Sequence, residues 1–282
     1  MRKRPPGWHP PGPVPPGALG CPELVPGPGE TLDCLSGHWK IFQLRDGHRY
    51  STDDLLTAWF AADRYRDGGG EPKEHLDLGC GVFSVGLLLL WRFLGLRSLG
   101  IEAQGVSAAL AARSLRFNGA WGRGRVANGD FREVSVPAPG EAFDLVTGSP
   151  PYLVPGEGTR SFRPQRGPCR FEDRGGITDY LAKASRHLAP GGAFVWCHAT
   201  RYAGENLSQA RTSGLGRVQW REVVFREGKE SLISLFRAEA GEGPAEKLPP
   251  LVVRTARGDP SPDYRRIRGE MGFPATPLPG AG

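Results

Sequence analysis

From His75 to Cys197 the chain repeats one pattern: a short apolar run, a turn, then a stretch long enough for a helix. The runs are His75 to Leu78, Arg97 to Ile101, Arg125 to Ala127, Phe143 to Thr147 and Ala193 to Cys197. Between them Val82 to Phe93, Val106 to Phe117 and Ile177 to Leu188 read as helices, the last stopped by Pro190-Gly191-Gly192. Strand and helix in alternation with short turns predict an open parallel sheet with helices packed on it, because parallel neighbours need crossover connections. Two β-rich runs follow, Val218 to Phe225 and Ser231 to Ala238, joined by Arg226-Glu227-Gly228-Lys229. They predict a late antiparallel pair. Ahead of the alternation, His38 to Leu44 and Arg49-Tyr50 suggest a hairpin turning at Asp46-Gly47, and Ser51 caps a helix through Asp53, Leu55, Leu56, Trp59 and Phe60.

The flanks differ. Residues 1–30 carry three Pro-Pro pairs and many glycines and read as a disordered leader; residues 275–282 read as a disordered tail. One domain is expected over 31–274, divided into an N-terminal hairpin and helix (31–73), a core (74–240) and a C-terminal segment (241–274). No internal repeat stands out. The most apolar stretch, Val85 to Leu96, is interrupted by Arg92 and is too short to span a membrane. Met1-Arg2-Lys3-Arg4 runs into prolines rather than an apolar segment, so it is no secretory signal; it also lacks the serines and helical pattern of a transit peptide. The five cysteines are scattered without a Cys-x-x-Cys pair, which predicts a reducing compartment; the cytoplasm is expected, with an organelle or the nucleus as alternatives. Six histidines have no metal spacing, and no metal is expected. The formal charge of +6 is compatible with a nucleic acid partner.

"LDLGCGVFSVG", Leu76 to Gly86, sits where the first strand feeds the first helix. Gly79 and Gly81 let the backbone turn tightly against a ligand at a helix N-terminus. Glu102, at the end of the second strand, is placed to accept hydrogen bonds from ribose hydroxyls. The dinucleotide fingerprint is incomplete, since Ser84 stands where its last glycine belongs. A nucleotide cofactor without phosphates makes weaker demands, and S-adenosyl-L-methionine is one. Asp77 would then hold its amino-acid end. "NGDF", Asn128 to Phe131, follows the third strand, so Asp130 would accept from the adenine amino group and Phe131 would cover the ring.

The fourth strand ends in "GSPPYL", Gly148 to Leu153. Pro150 and Pro151 fix φ, which makes a rigid corner at the carboxyl edge of the sheet. Ser149 Oγ and the Pro150 carbonyl can accept both protons of an NH₂ group, and Tyr152 supplies a flat stacking face. That set suits transfer of a methyl group to an exocyclic or amide nitrogen.

The segments "LDLGCG", "GIEAQ", "NGDF" and "FDLVTGSPPYL" resemble the class I, S-adenosylmethionine-dependent amino-methyltransferases, marked by (Asn/Asp/Ser)-Pro-Pro-(Tyr/Phe). "FQLRDGHRYSTDDLLTAWFA", Phe42 to Ala61, resembles the entry segment of the tRNA adenine-N6 methyltransferase group. "PPLVVR" and "DYRRIRGEMGFP" resemble its C-terminal segment. The likeness spans Thr31 to Pro274. It implies a Rossmann-like α/β fold with a mostly parallel seven-stranded sheet, an antiparallel C-terminal hairpin and helices on both faces. It also implies catalytic roles for Ser149, Pro150, Pro151 and Tyr152. Two departures stand out: Phe83 replaces the third loop glycine, and Ser149 replaces the commoner Asn.

After the corner, Arg160, Arg163, Arg166 and Arg170 alternate with Phe162 and Phe171, a mixture that suits phosphates and stacked bases of a single-stranded loop. Together with this loop, the resemblance implies an adenine N6 amino group in tRNA as the substrate. Three other readings remain. One is a protein-glutamine N5-methyltransferase, which usually carries an N-terminal recognition domain that residues 1–37 are too short to form. Another is methylation of adenine in DNA or other RNA. The last is a non-catalytic methyltransferase fold that binds RNA, for which Phe83 is the support.

Overall fold

A computed structural model describes residues 7–66, 68, 70–135, 142–151 and 175–274. A two-stranded hairpin opens the chain, β1 (Glu30–Cys34) with β2 (Lys40–Leu44), followed by helix α1 (Thr52–Asp63). The central alternation is β3 (Glu74–Leu78), α2 (Ser84–Arg92), β4 (Arg97–Glu102), α3 (Gly105–Phe117), β5 (Gly124–Asn128), β6 (Phe143–Gly148), α4 (Ile177–His187) and β7 (Leu188–Ala199). Then come α5 (Ala203–Thr212), the hairpin β8 (Arg217–Val224) and β9 (Ile233–Glu239), two short strands β10 (Glu246–Lys247) and β11 (Leu251–Val252), and α6 (Pro262–Glu270).

The sheet runs β10-β8-β9-β7-β6-β3-β4-β5, with β11 also paired to β8. Strands β3 to β7 are mutually parallel, and β9 runs antiparallel between β7 and β8. The expected seven strands are all present. The sheet has nine because two-residue β10 and β11 line up beside β8, supplying partners to its outer edge. The chain order reverses between β3–β4–β5 on one side and β6–β7 on the other. That switch point lies where ligands bind in open sheets of this kind.

Strand side chains alternate between two cores. Leu145, Val195 and Leu235 join the helix residues of α1, α2, α3 and α6. Leu76, Val146, Trp196 and Phe236 join those of α4 and α5. On the second face Phe194, Trp196, Phe236 and Trp220 form a stacked row across β7, β9 and β8, with successive centroids 4.8, 5.0 and 5.9 Å apart. Such cross-strand aromatic neighbours hold register, because a one-residue slip would turn every ring to the other face.

Two expectations are corrected. The opening hairpin forms upstream of Asp46-Gly47: β2 pairs with β1, not with Arg49-Tyr50. Arg49 and Tyr50 instead fold back on it, Arg49 bridging to Asp33 at 2.7 Å and the Tyr50 hydroxyl donating to the Cys34 carbonyl at 2.7 Å. The free edge of β2 is satisfied by α3 side chains, with Phe42 N–H donating to Ser114 Oγ (2.9 Å) and Lys40 N–H to Asn118 Oδ1 (2.9 Å). The second correction concerns residues 7–29, which lie against the domain rather than forming a disordered leader. Leu24 is buried, Gly17 N–H donates to the Phe117 carbonyl, and Arg113 donates to the carbonyls of Glu23 and Val25. Prolines limit this segment to one 3-10 turn, Pro22–Leu24, and they also stiffen it. A pre-extended strap loses little conformational entropy on docking.

Candidate active site

The carboxyl ends of β3, β4, β5 and β6 converge on one cleft, lined among others by Asp77, Gly81, Glu102, Asp130, Phe131 and Ser149. Register does this: Leu78 pairs with Ile101 on one side and Gly148 on the other, and Glu102 pairs with Asn128.

Gly79 and Gly81 both have positive φ, as a turn beneath a ligand requires. Glu102 is buried and already engaged in shaping the loop. Its carboxylate accepts from Gly81 N–H at 2.9 Å and from Gln104 N–H at 2.7 Å.

Phe83 resolves the first departure. It caps α2 with φ +66°, the left-handed conformation a glycine would adopt without strain, at a cost of about 1–2 kcal/mol for a side chain. The ring is fully buried and absent from the cleft lining. It fills space left by two glycines: a Cβ at Gly86 would overlap the ring, and one at Gly100 would lie 2.8 Å from it. Burying a Phe side chain stabilises by roughly 1.5–3 kcal/mol, enough to offset the strain. The substitution is a packing exchange in the core. Gly86→Ala should therefore destabilise by about 1–3 kcal/mol despite alanine's better helix propensity, and Phe83→Ala in that background should recover part of the loss. Denaturant melts of the two single variants and the double variant check this. A Gly86→Ala protein as stable as the parent would contradict the packing.

Asp77 is buried at the cleft floor. Its Oδ1 accepts from the Thr147 hydroxyl at 2.6 Å, while Oδ2 has no hydrogen-bond partner among the described residues. Burial pushes its carboxyl up to about 7, aided by the nearby charges of Asp54 and Glu102 and opposed by the Thr147 hydroxyl and the nearby Gly86 N–H. Thr147 is itself held by His75, whose Nε2 lies 2.8 Å from Thr147 Oγ1 and whose Nδ1 lies 2.7 Å from Ser98 Oγ. Burial holds His75 near a pKa of about 3, so it is neutral with one N–H. Thr147 spends its proton on Asp77, so His75 donates through Nε2 and Ser98 donates to Nδ1.

Asp54 also lines the cleft, from the first turn of α1, and its carboxylate accepts from Ser51 N–H at 2.7 Å. Burial, with Asp53 beside it, raises its pKa. Tyr180 of α4 crosses between the loop and the corner. A Cβ at Gly79 would collide with its hydroxyl, and one at Gly148 would lie 2.7 Å from its ring. Phe131 is buried against Tyr180, centroids 4.5 Å apart, with Phe131 and Tyr180 both reaching the cleft. The Asp130 carboxylate is clamped by Arg132, through its N–H at 2.9 Å and its Nη2 at 2.6 Å. Sequence reading missed Asp54, His48, Tyr50 and Tyr180 in the lining. The entry segment 42–61 carried a signal for the first three; a helical Tyr180 carried none.

At the corner, Ser149 and Pro151 line the cleft and Pro150 is buried. Tyr152 and the arginines Arg160, Arg163, Arg166 and Arg170, with Phe162 and Phe171, lie outside the described residues.

No family model matches the chain. Among curated proteins it is similar to a "tRNA1(Val) (adenine(37)-N6)-methyltransferase" of Porphyromonas gingivalis, 26% identical over 235 residues, covering 78% of this chain and 86% of the relative. A protein of the same name from Actinobacillus pleuropneumoniae is 24% identical over 200 residues, covering 71% and 80%. Among solved structures, a predicted O-methyltransferase from Agrobacterium tumefaciens superposes with TM-score 0.59 at 18% identity, over 78% of this chain and 97% of that one. A 16S rRNA N2 methyltransferase of T. thermophilus, solved with AdoMet and guanosine, gives 0.53 at 19% identity, over 77% and 52%. These likenesses and the sheet order show a Rossmann-like methyltransferase fold.

Proposed function

We propose that this chain is an S-adenosylmethionine-dependent methyltransferase acting on the N6 amino group of an adenine in tRNA. The observation that carries the reading is the meeting in one cleft of Asp77, Glu102 and Ser149, delivered by three different strand ends. The residues fit the cofactor. Asp77 Oδ2 is a buried acceptor lacking a donor, as a bound ammonium would supply, and Asp54 and Glu102 add negative charge where a cationic ligand would sit. Glu102 would accept from the ribose hydroxyls. Asp130 and Phe131 would meet the adenine.

When bound, the cofactor supplies an electrophilic methyl group. The chain's own part is to present the nucleophile. Ser149 Oγ and the Pro150 carbonyl would each accept a hydrogen bond from one N–H of the target amine, which aims its lone pair and stabilises positive charge as it grows on nitrogen. Tyr152 would stack on the base, which must leave its helical stack to enter. Phe83 no longer favours a non-catalytic fold, because its ring faces the core.

The test is methyl transfer from labelled cofactor to unmodified tRNA, followed by nucleoside mass spectrometry. Adenine 37, named for the relatives, is the first position to examine. Methyladenosine absent from the product, with label found on protein or DNA instead, would overturn the substrate assignment. Binding of tRNA should also be salt-sensitive. Each phosphate contact adds about 0.7 to the log–log salt slope for single strands, so replacing Arg160, Arg163 and Arg166 together should flatten it by up to about 2 while leaving cofactor affinity unchanged. An undiminished slope would place the phosphate contacts elsewhere.

A further inference from the structure

The corner at Ser149-Pro150-Pro151 is not rigid by its prolines alone. Their rings fix φ at 150 and 151, and Pro151 restricts ψ of Pro150 to the extended region. Past Ser149 one soft dihedral remains, ψ of Pro151, which sets the direction of the Pro151 carbonyl and of the chain leaving toward Tyr152. That carbonyl has a partner. His198, buried at the end of β7, places Nε2 3.2 Å from it.

Which ring nitrogen carries the proton follows from the neighbours. The indole of Trp196 can only donate, and its Nε1 lies 2.8 Å from Asn206 Oδ1. This fixes the Asn206 amide, whose Nδ2 then donates to the Tyr202 carbonyl at 2.8 Å and to His198 Nδ1 at 3.0 Å. With Nδ1 accepting, the proton must sit on Nε2, where it is donated to Pro151. Trp196 and Asn206 are fully buried, so water does not compete for these bonds. Burial also holds His198 near a pKa of about 4, keeping the ring neutral.

We propose that His198 is the positioning residue of the catalytic corner: a Trp196–Asn206–His198 chain locks its Nε2–H tautomer, and that proton pins the Pro151 carbonyl and with it the last free dihedral. The inference rests on the amino-methyltransferase reading for its consequence in turnover, and on the protein alone for the pinning itself.

Three measurements test it. In single-turnover methyl transfer to tRNA, corrected for folded fraction by melts, His198→Phe should lose about 100-fold in rate, the scale of a misplacement near 1 Å. Its S-adenosylmethionine affinity by calorimetry should stay within about twofold of wild type, since His198 lies outside the cleft lining. His198→Gln, whose amide N–H can reach the same carbonyl, should recover to within roughly tenfold of wild type. In the unmodified protein, long-range ¹H–¹⁵N spectra should show His198 with Nε2 protonated and Nδ1 bare. Hydrogen exchange over 143–151 should be faster in His198→Phe than in wild type. A His198→Phe protein of wild-type rate per folded molecule, a glutamine variant no better than the phenylalanine one, or the opposite tautomer would each overturn the proposal. If wild type transfers no methyl to tRNA, the functional reading fails instead; spectra and exchange then decide the pinning, and unchanged exchange sinks it.

Discussion

Asp77→Asn will weaken S-adenosylmethionine binding by about 100-fold or more and, near pH 8, will make the free protein more stable. The two effects share one cause. Asp77 is a buried carboxylate with one unpartnered oxygen and a pKa raised to about 7. A cationic ligand would turn that penalty into a buried ion pair, and asparagine would place an NH₂ group where an acceptor is needed. In the free protein the amide removes the cost of a desolvated charge. The sign follows from linkage. The folded carboxyl holds its proton to about pH 7, whereas the unfolded one gives it up near its ordinary value of 3.8. Asp77's own contribution to wild-type stability is therefore greatest below about pH 4, falls as pH rises toward about 7, and is level above. The variant lacks that fall, so the difference between their melting temperatures should open across this window. Cofactor affinity should run the other way in wild type, rising by up to about tenfold per pH unit until about pH 7 and then levelling. Calorimetric titrations at about pH 5.5 and pH 8, with thermal melts on the same proteins, check both trends. Normal binding by Asp77→Asn would remove this residue from the cofactor's amino end.

Ser149→Ala is expected to lower turnover by about 10²- to 10³-fold with cofactor affinity near wild type, by analogy with the loss of one donor from an oxyanion hole. Ser149 is half-buried and lines the cleft, so alanine removes an acceptor without leaving a void in the core. The hydroxyl matters because the corner has few alternatives: a proline has no N–H, and the buried Pro150 can offer only its carbonyl. Asn at the same position should restore a carbonyl acceptor and retain activity. The measurement is single-turnover methyl transfer to tRNA, with melts to count folded protein. A folded Ser149→Ala enzyme at wild-type rate would show that Ser149 does not take a proton of the target amine.

That the glycine loop, Glu102, Asp130 and the Ser-Pro-Pro corner meet at one cleft is legible from the residues alone, because each follows a predicted strand and parallel strands deliver their ends to one edge. The N-terminal hairpin is misassigned for a related reason: Asp46-Gly47 is a good turn signal, but β2 finds a better partner in β1 and a cover in Ser114 and Asn118 of α3. The proline-rich strap is misread because composition measures what a segment can bury by itself. It does not register the carbonyls that Arg113 can satisfy from another helix.

The chain's own sequence determined the alternation, the loop, the acid and the corner, since periodicity, glycine and proline act over a few residues. Tertiary structure decided whether they work together. Phe83 looks like damage to the loop until Gly86 and Gly100, three and seventeen residues away, are seen to make room for it. Asp77 is marked as a cofactor acid by its place before the loop, but its raised pKa appears only once burial strips its water and Thr147 takes only one oxygen. His198 gains its role only where β7 lies beside β6 and Asn206 dictates its tautomer. Each of these depends on desolvation and on contacts between strands, which no local pattern encodes.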